Sequence, residues 1–225
     1  MKHAFYRLHF LRFVKLLLLC AAAAAANILL STFTLHFMDF PLFMDTVFTV
    51  AVTFAAGLIP GLAAAVLSWI AGCIYNAYFH PFVVVAVAEV LLVYWLKPAP
   101  AKIAAFSPQD PAFLADIKTA SKINTVARLT LLYLACVIAL SALGGIIAFS
   151  FYHVGGREGG FFHTIETFRT GFLRGGTHIL TAEILSRILV NIADRFIVIF
   201  GGYLVALGVK RTLQDKQDQE TITGT

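Results

Sequence analysis

Of the 225 residues, 60% are apolar and 13% charged, against roughly 25% charged in an ordinary soluble domain, which excludes a soluble enzyme with a separate catalytic domain, a disordered chain and a disulfide-stapled secreted module. Six spans of about 20 residues would take roughly 120 positions and leave no connection long enough for a second domain. The expectation is therefore an all-α, six-transmembrane-helix bundle over residues 1–211 with short interfacial helices, followed by a polar tail over 212–225.

In chain order, the first span is expected from about Val14 to Leu35. It follows a basic stretch, and Ala24-Ala25-Ala26 would offer small residues for signal cleavage, but the apolar run continues past that point to Phe37, which favours a span. Its alanine run lets a neighbouring helix approach closely at Ala21 and Ala25 or at Ala22 and Ala26, through internal packing or contact with another subunit. The second span is short, Asp45 to Ala56, and leads into Gly57-Leu58-Ile59-Pro60-Gly61, which reads as a tight turn. The third runs from about Gly61 to Ala77. The fourth runs from Phe82 to Leu96 after a turn at His80-Pro81.

Residues 97–125 hold four prolines and then a polar segment in which Phe113, Ile117 and Ala120 recur at helical spacing, the pattern of a polar loop carrying a short surface helix. The fifth span is expected from Val126 to Phe151, followed by a glycine-rich stretch at 155–160. Phe161, Ile165, Phe168 and Phe172 then repeat as in an interfacial amphipathic helix, with Arg169 and Arg174 on its surface. The last span runs from about His178 to Val209.

On this layout the cations are unevenly placed. Lys2, Arg7, Arg12, Lys15, Lys97, Lys102, Lys118, Lys122, Arg128, Lys210, Arg211 and Lys216 fall at one side, and only Arg157, Arg169 and Arg174 at the other. That is the positive-inside bias, which places both termini in the cytoplasm. A basic footprint for nucleic acid would instead be one contiguous face, so no nucleic-acid partner is expected.

Ionisable residues inside a span are costly and normally face a partner in the bundle interior. Glu89 lies near the middle of the fourth span. Glu183, Arg187, Asn191 and Asp194 are spaced by four, four and three, so they share one helical stripe, and Arg195 lies beside Asp194. Matching depths along the fourth and last spans predicts that Glu89 pairs with Arg195. Two readings of the stripe stay open: local ion pairs such as Glu183 with Arg187, or groups that line a ligand cavity. Asp45 suits the N-cap of the second helix, or a loop closing over a small molecule. Tyr75 and Asn76 offer an aromatic wall and an amide, or simply part of an interfacial aromatic belt. No hydrolase constellation, P-loop or paired metal spacing is present, so no catalytic residue, cofactor or metal is expected.

Pro41-Leu42-Phe43-Met44-Asp45-Thr46-Val47-Phe48-Thr49, the Asn191-Ile192-Ala193-Asp194-Arg195 segment after Glu183, and the alanine run together resemble the substrate-binding S component of an energy-coupling factor transporter. Phe48 stands where glycine is usual after Asp-Thr, and Arg195 where lysine is more frequent. The resemblance implies a non-enzymatic subunit of the bacterial cytoplasmic membrane. It would capture a vitamin or precursor from outside, for uptake energised by partner ATPases through a transmembrane coupling subunit docked on the alanine face. The alternative function is a membrane sensor or anchoring module that passes a ligand signal to a separate protein.

Overall fold

The computed structural model describes residues 2–37, 42–75, 81–98, 111–154 and 163–210, and the regular elements among them are all helical. They are α1 (Lys2–Phe37), α2 (Val47–Ala56), α3 (Leu58–Tyr75), α4 (Val83–Leu96), α5 (Pro111–Ala148), α6 (His163–Arg174) and α7 (Ile179–Phe196). A π-helical segment, Phe149–Val154, extends α5. Another, Ile197–Gly201, carries α7 onward to Lys210.

Three stretches are long and apolar enough to cross a membrane: Phe13–Thr34 in α1, Ala120–Phe151 through α5, and Ile179–Lys210 through α7. The helices α2, α3 and α4 are apolar but shorter. The exterior is rich in large apolar side chains, including Phe13, Leu18, Leu29, Ile74, Trp95, Ile138 and Leu204. Such a surface is suited to hydrocarbon rather than water.

The core gathers around α2, seven of whose ten residues are buried. It packs against α1, α3, α4 and the π segment of α7. Val50, Val93, Leu132, Cys136, Val198 and Ile199 are fully enclosed there. Gly202 is what allows the approach of α7, because a Cβ at that position would lie 2.8 Å from Val50 Cγ1 and 2.9 Å from the Val47 carbonyl oxygen.

Ten residues at 1.5 Å rise cover about 15 Å, half of a bilayer core of about 30 Å. The short α2 is therefore a buried half-length helix. Its beginning sits beside Glu89, which lies six residues, about 9 Å, below the start of α4. The chain at 44–46 thus reaches well down inside the bundle before α2 begins.

Two expectations need correction. The Gly57 to Gly61 turn is narrower than its composition implies: Gly57 alone, at φ +95°, separates α2 from α3, and Pro60 and Gly61 are already helical. Proline is tolerated in a first helical turn, where N–H groups have no intrahelical partner. Nor is the fifth span a separate helix starting at Val126. One helix begins at Pro111, since no glycine or proline interrupts residues 112–143, and the polar segment read as a surface helix is its first part.

Candidate functional site

Arg195 is the hub of a buried ion cluster. Its position on α7, one residue past Asp194 and at the depth of Glu89, brings three carboxylates to one guanidinium. Arg195 Nη1 pairs with Glu89 Oε1 and donates to Thr46 Oγ1 at 3.1 Å. Nη2 lies 2.5 Å from Asp194 Oδ2 and 3.9 Å from Asp45 Oδ1. The side chains of Asp194 and Glu89 are 0% and 1% exposed, whereas that of Asp45 is 30% exposed. The cluster is therefore sealed at its centre and open at the loop that carries Asp45.

That loop is fastened to α7. The Met44 N–H donates to Asp194 Oδ1 at 2.9 Å. Met44 itself holds φ +43°, a left-handed conformation that a non-glycine side chain rarely adopts and that costs energy to maintain. Asp45 does not cap α2, contrary to the cap reading. Thr46 occupies the cap position without a side-chain cap bond, because Arg195 engages its hydroxyl. The N–H of Phe48 is satisfied from a distant helix instead, by Asn27 Oδ1 at 2.9 Å.

Asn27 is a functional candidate that the sequence reading missed as such. Its Nδ2 donates to Thr49 Oγ1 at 2.9 Å and to Ser68 Oγ at 3.0 Å, so one buried amide joins α1, α2 and α3. The only signal available was an asparagine inside an apolar span, which requires buried partners.

A second ionic group lies nearer the start of α7. Glu183 Oε2 meets Arg187 Nη1 at 2.5 Å, and Glu183 Oε1 meets Arg169 Nη1 at 3.3 Å. Arg169 also pairs with Glu166. Burial pulls the Arg169 guanidinium down, but Glu166 and Glu183 more than offset it and hold it above its ordinary value. Through Arg169 the amphipathic α6 is tied to α7. Farther along α7, Asn191 Nδ2 donates to Ser141 Oγ of α5 at 2.8 Å.

Of the predicted site residues, the structure brings Asp45, Glu89, Asp194 and Arg195 together, pairs Glu183 with Arg187 separately, and gives Asn191 to α5. Asn76 and the side chain of Tyr75 lie outside the described residues. Ala21, Ala22 and Ala25 are exposed and Ala26 is half-buried; α1 packs inward through Cys20, Ala23, Ala24 and Asn27. Internal packing therefore does not use the Ala21 and Ala25 pair.

The arrangement defines an all-helical protein with apolar helices suited to a membrane and a loop anchored on a buried ion cluster. Comparison with protein-family models, curated proteins and solved structures finds no match.

Proposed function

We propose that the chain is a membrane-embedded substrate-binding subunit, of the kind found as the S component of energy-coupling factor transporters. It captures a small molecule such as a vitamin or precursor from outside, and partner ATPases acting through a coupling subunit energise uptake. In this reading α1, α2, α3, α4, α5 and α7 are the six spans, α6 lies at the outer interface, and both termini are cytoplasmic in a bacterial inner membrane. The protein itself carries out no covalent step.

The observation that carries the reading is the depth of the loop at 44–46. Non-helical backbone within a bilayer is tolerated only where protein buries it or it lines a cavity. Here Met44 and Thr46 are held on Asp194 and Arg195, while Asp45 keeps partial exposure. A solute entering above the short α2 would meet this loop first. Its occupancy would be felt by α4 through Glu89 and by α7 through Asp194 and Arg195. The exposed Ala21, Ala22 and Ala25 leave α1 a face on which the backbone of a coupling subunit could lie close.

The test is gentle detergent purification of the full chain, mass spectrometry of bound proteins and small molecules, and thermal unfolding against a panel of vitamins and metabolites. A ligand at 100 times its Kd adds about 2.7 kcal/mol of stability. No stabilisation across the panel and no co-purified solute would refute capture. Recovery with a histidine kinase in place of an ATPase and coupling subunit would assign the protein to sensing.

A further inference from the structure

At the end of the bundle away from the ion cluster, a cavity of about 480 Å³ opens between the last residues of α2, α4 and α7 and the flank of α5. Phe54, Tyr203 and Leu207 supply apolar lining, with the Phe54 and Tyr203 rings edge to face at 5.4 Å. Lys97 and Lys210 bring two cationic side chains to the lining, with the polar Ser121 and Thr125 beside them.

Among the described residues no carboxylate reaches these two lysines. The described carboxylate side chains are those of Asp45, Glu89, Glu166, Glu183 and Asp194, and none lines the cavity. Among the described residues Lys97 has a ring contact only, its Nζ 4.3 Å from the Tyr94 centroid, and Lys210 forms no ion pair. Lys97 and Lys210 stand at the carbonyl ends of α4 and α7, whose partial negative charge of about half a unit each offsets the two cations in part. The N–H groups of Gly57 and Lys97 already occupy the Thr53 and Val93 carbonyls. Two lysines whose charge the helix ends offset only in part, beside an apolar wall, suit an anion with a hydrophobic body.

We propose that this cavity binds the phosphate of an anionic phospholipid, with Lys97 and Lys210 on the headgroup and the apolar wall against its glycerol and upper acyl chain. Basic pockets between helices on the cytoplasmic side are a recurrent form of headgroup site. The orientation, with the lysine-bearing end at the cytoplasmic leaflet, rests on the reading of the preceding subsection. The site does not depend on what solute the outer loop takes. A free phosphate would satisfy the lysines but leave the apolar wall wet, which is why the lipid is favoured.

The test uses the full chain, delipidated in neutral detergent, with phosphatidylglycerol, phosphatidylcholine or inorganic phosphate added back. Native mass spectrometry measures retention and thermal unfolding measures stabilisation. Phosphatidylglycerol is expected to be retained in preference to phosphatidylcholine. At about 1 kcal/mol per lysine near the surface, Lys97→Gln with Lys210→Gln weakens that retention about 30-fold. Lys97→Arg with Lys210→Arg keeps it, and so does Lys122→Gln, which removes a cation outside the cavity. Equal retention of the two lipids, or undiminished retention in the double Gln variant, overturns the proposal. Equal stabilisation by inorganic phosphate alone overturns the lipid assignment. Any of these results leaves the solute-binding panel unaffected, so the two readings fail separately.

Discussion

Arg195→Gln is the perturbation that most directly tests how the ion cluster is shared. In the native structure one guanidinium, 7% exposed, serves Glu89 and Asp194, both essentially sealed from solvent, and stands near Asp45. Removing it leaves two enclosed carboxylates without a cation. Breaking a buried pair costs about 3–5 kcal/mol, because the surviving charge is stranded. Glu89→Gln is a milder change. Arg195 keeps Asp194, and the Gln carbonyl oxygen can still accept from Nη1, so the loss is the difference between a charged and a neutral hydrogen bond, about 1 kcal/mol. In the double variant only Asp194 remains stranded, and the cost should fall below the sum of the single variants by about 1–3 kcal/mol. Denaturant unfolding of the purified full chain in mixed micelles, followed by the fluorescence of Trp69 and Trp95, measures all three. Additivity to within about 0.5 kcal/mol would refute the contact. Glu89→Gln as damaging as Arg195→Gln would show that Asp194 takes no share of the guanidinium.

Asn27→Leu deprives the Phe48 N–H and the Thr49 and Ser68 hydroxyls of their shared partner, and should cost about 1–3 kcal/mol; unchanged unfolding would mean that the amide bridge contributes nothing to joining α1, α2 and α3. Gly202→Ala forces a methyl group onto Val50 and the Val47 carbonyl, an overpacking worth about 1–3 kcal/mol, whereas Gly208→Ala, with open space around its Cβ position, should be neutral or slightly stabilising. The same unfolding assay separates the two, and equal effects would contradict the close approach of α2 and α7.

What the sequence made legible follows from how strongly lipid constrains each group. An ion within an apolar span has no solvent to fall back on, so depth alone was enough to match Glu89 with Arg195, and the four-residue step to match Glu183 with Arg187. Apolar runs likewise marked every long helix. The polar start of α5 was misread because amphipathic spacing reports which face is apolar, not where a helix stops. The stop signals, glycine and proline, are absent from 112–143. Arg169 was placed on the surface of α6 for a similar reason: nothing in local spacing shows that a residue 14 positions before Glu183 folds back onto it.

The failed cap is the most instructive of these differences. Asp45 before an apolar run is a strong local signal for an N-cap, yet the helix begins at Val47, and one N–H of its first turn, that of Phe48, is satisfied by Asn27, 21 residues earlier. Local rules are overridden where a stronger tertiary demand exists. Here Arg195 must find partners or remain an unsatisfied buried cation, and it engages Thr46 directly while Asp45 approaches only to 3.9 Å. A sequence that sets aside its best capping arrangement, and holds Met44 at positive φ beside the same cluster, incurs a local cost to keep this loop on α7. That is expected of a segment whose position matters more than its own stability. Under the proposed function, this loop, rather than the long spans, is where a bound solute would act.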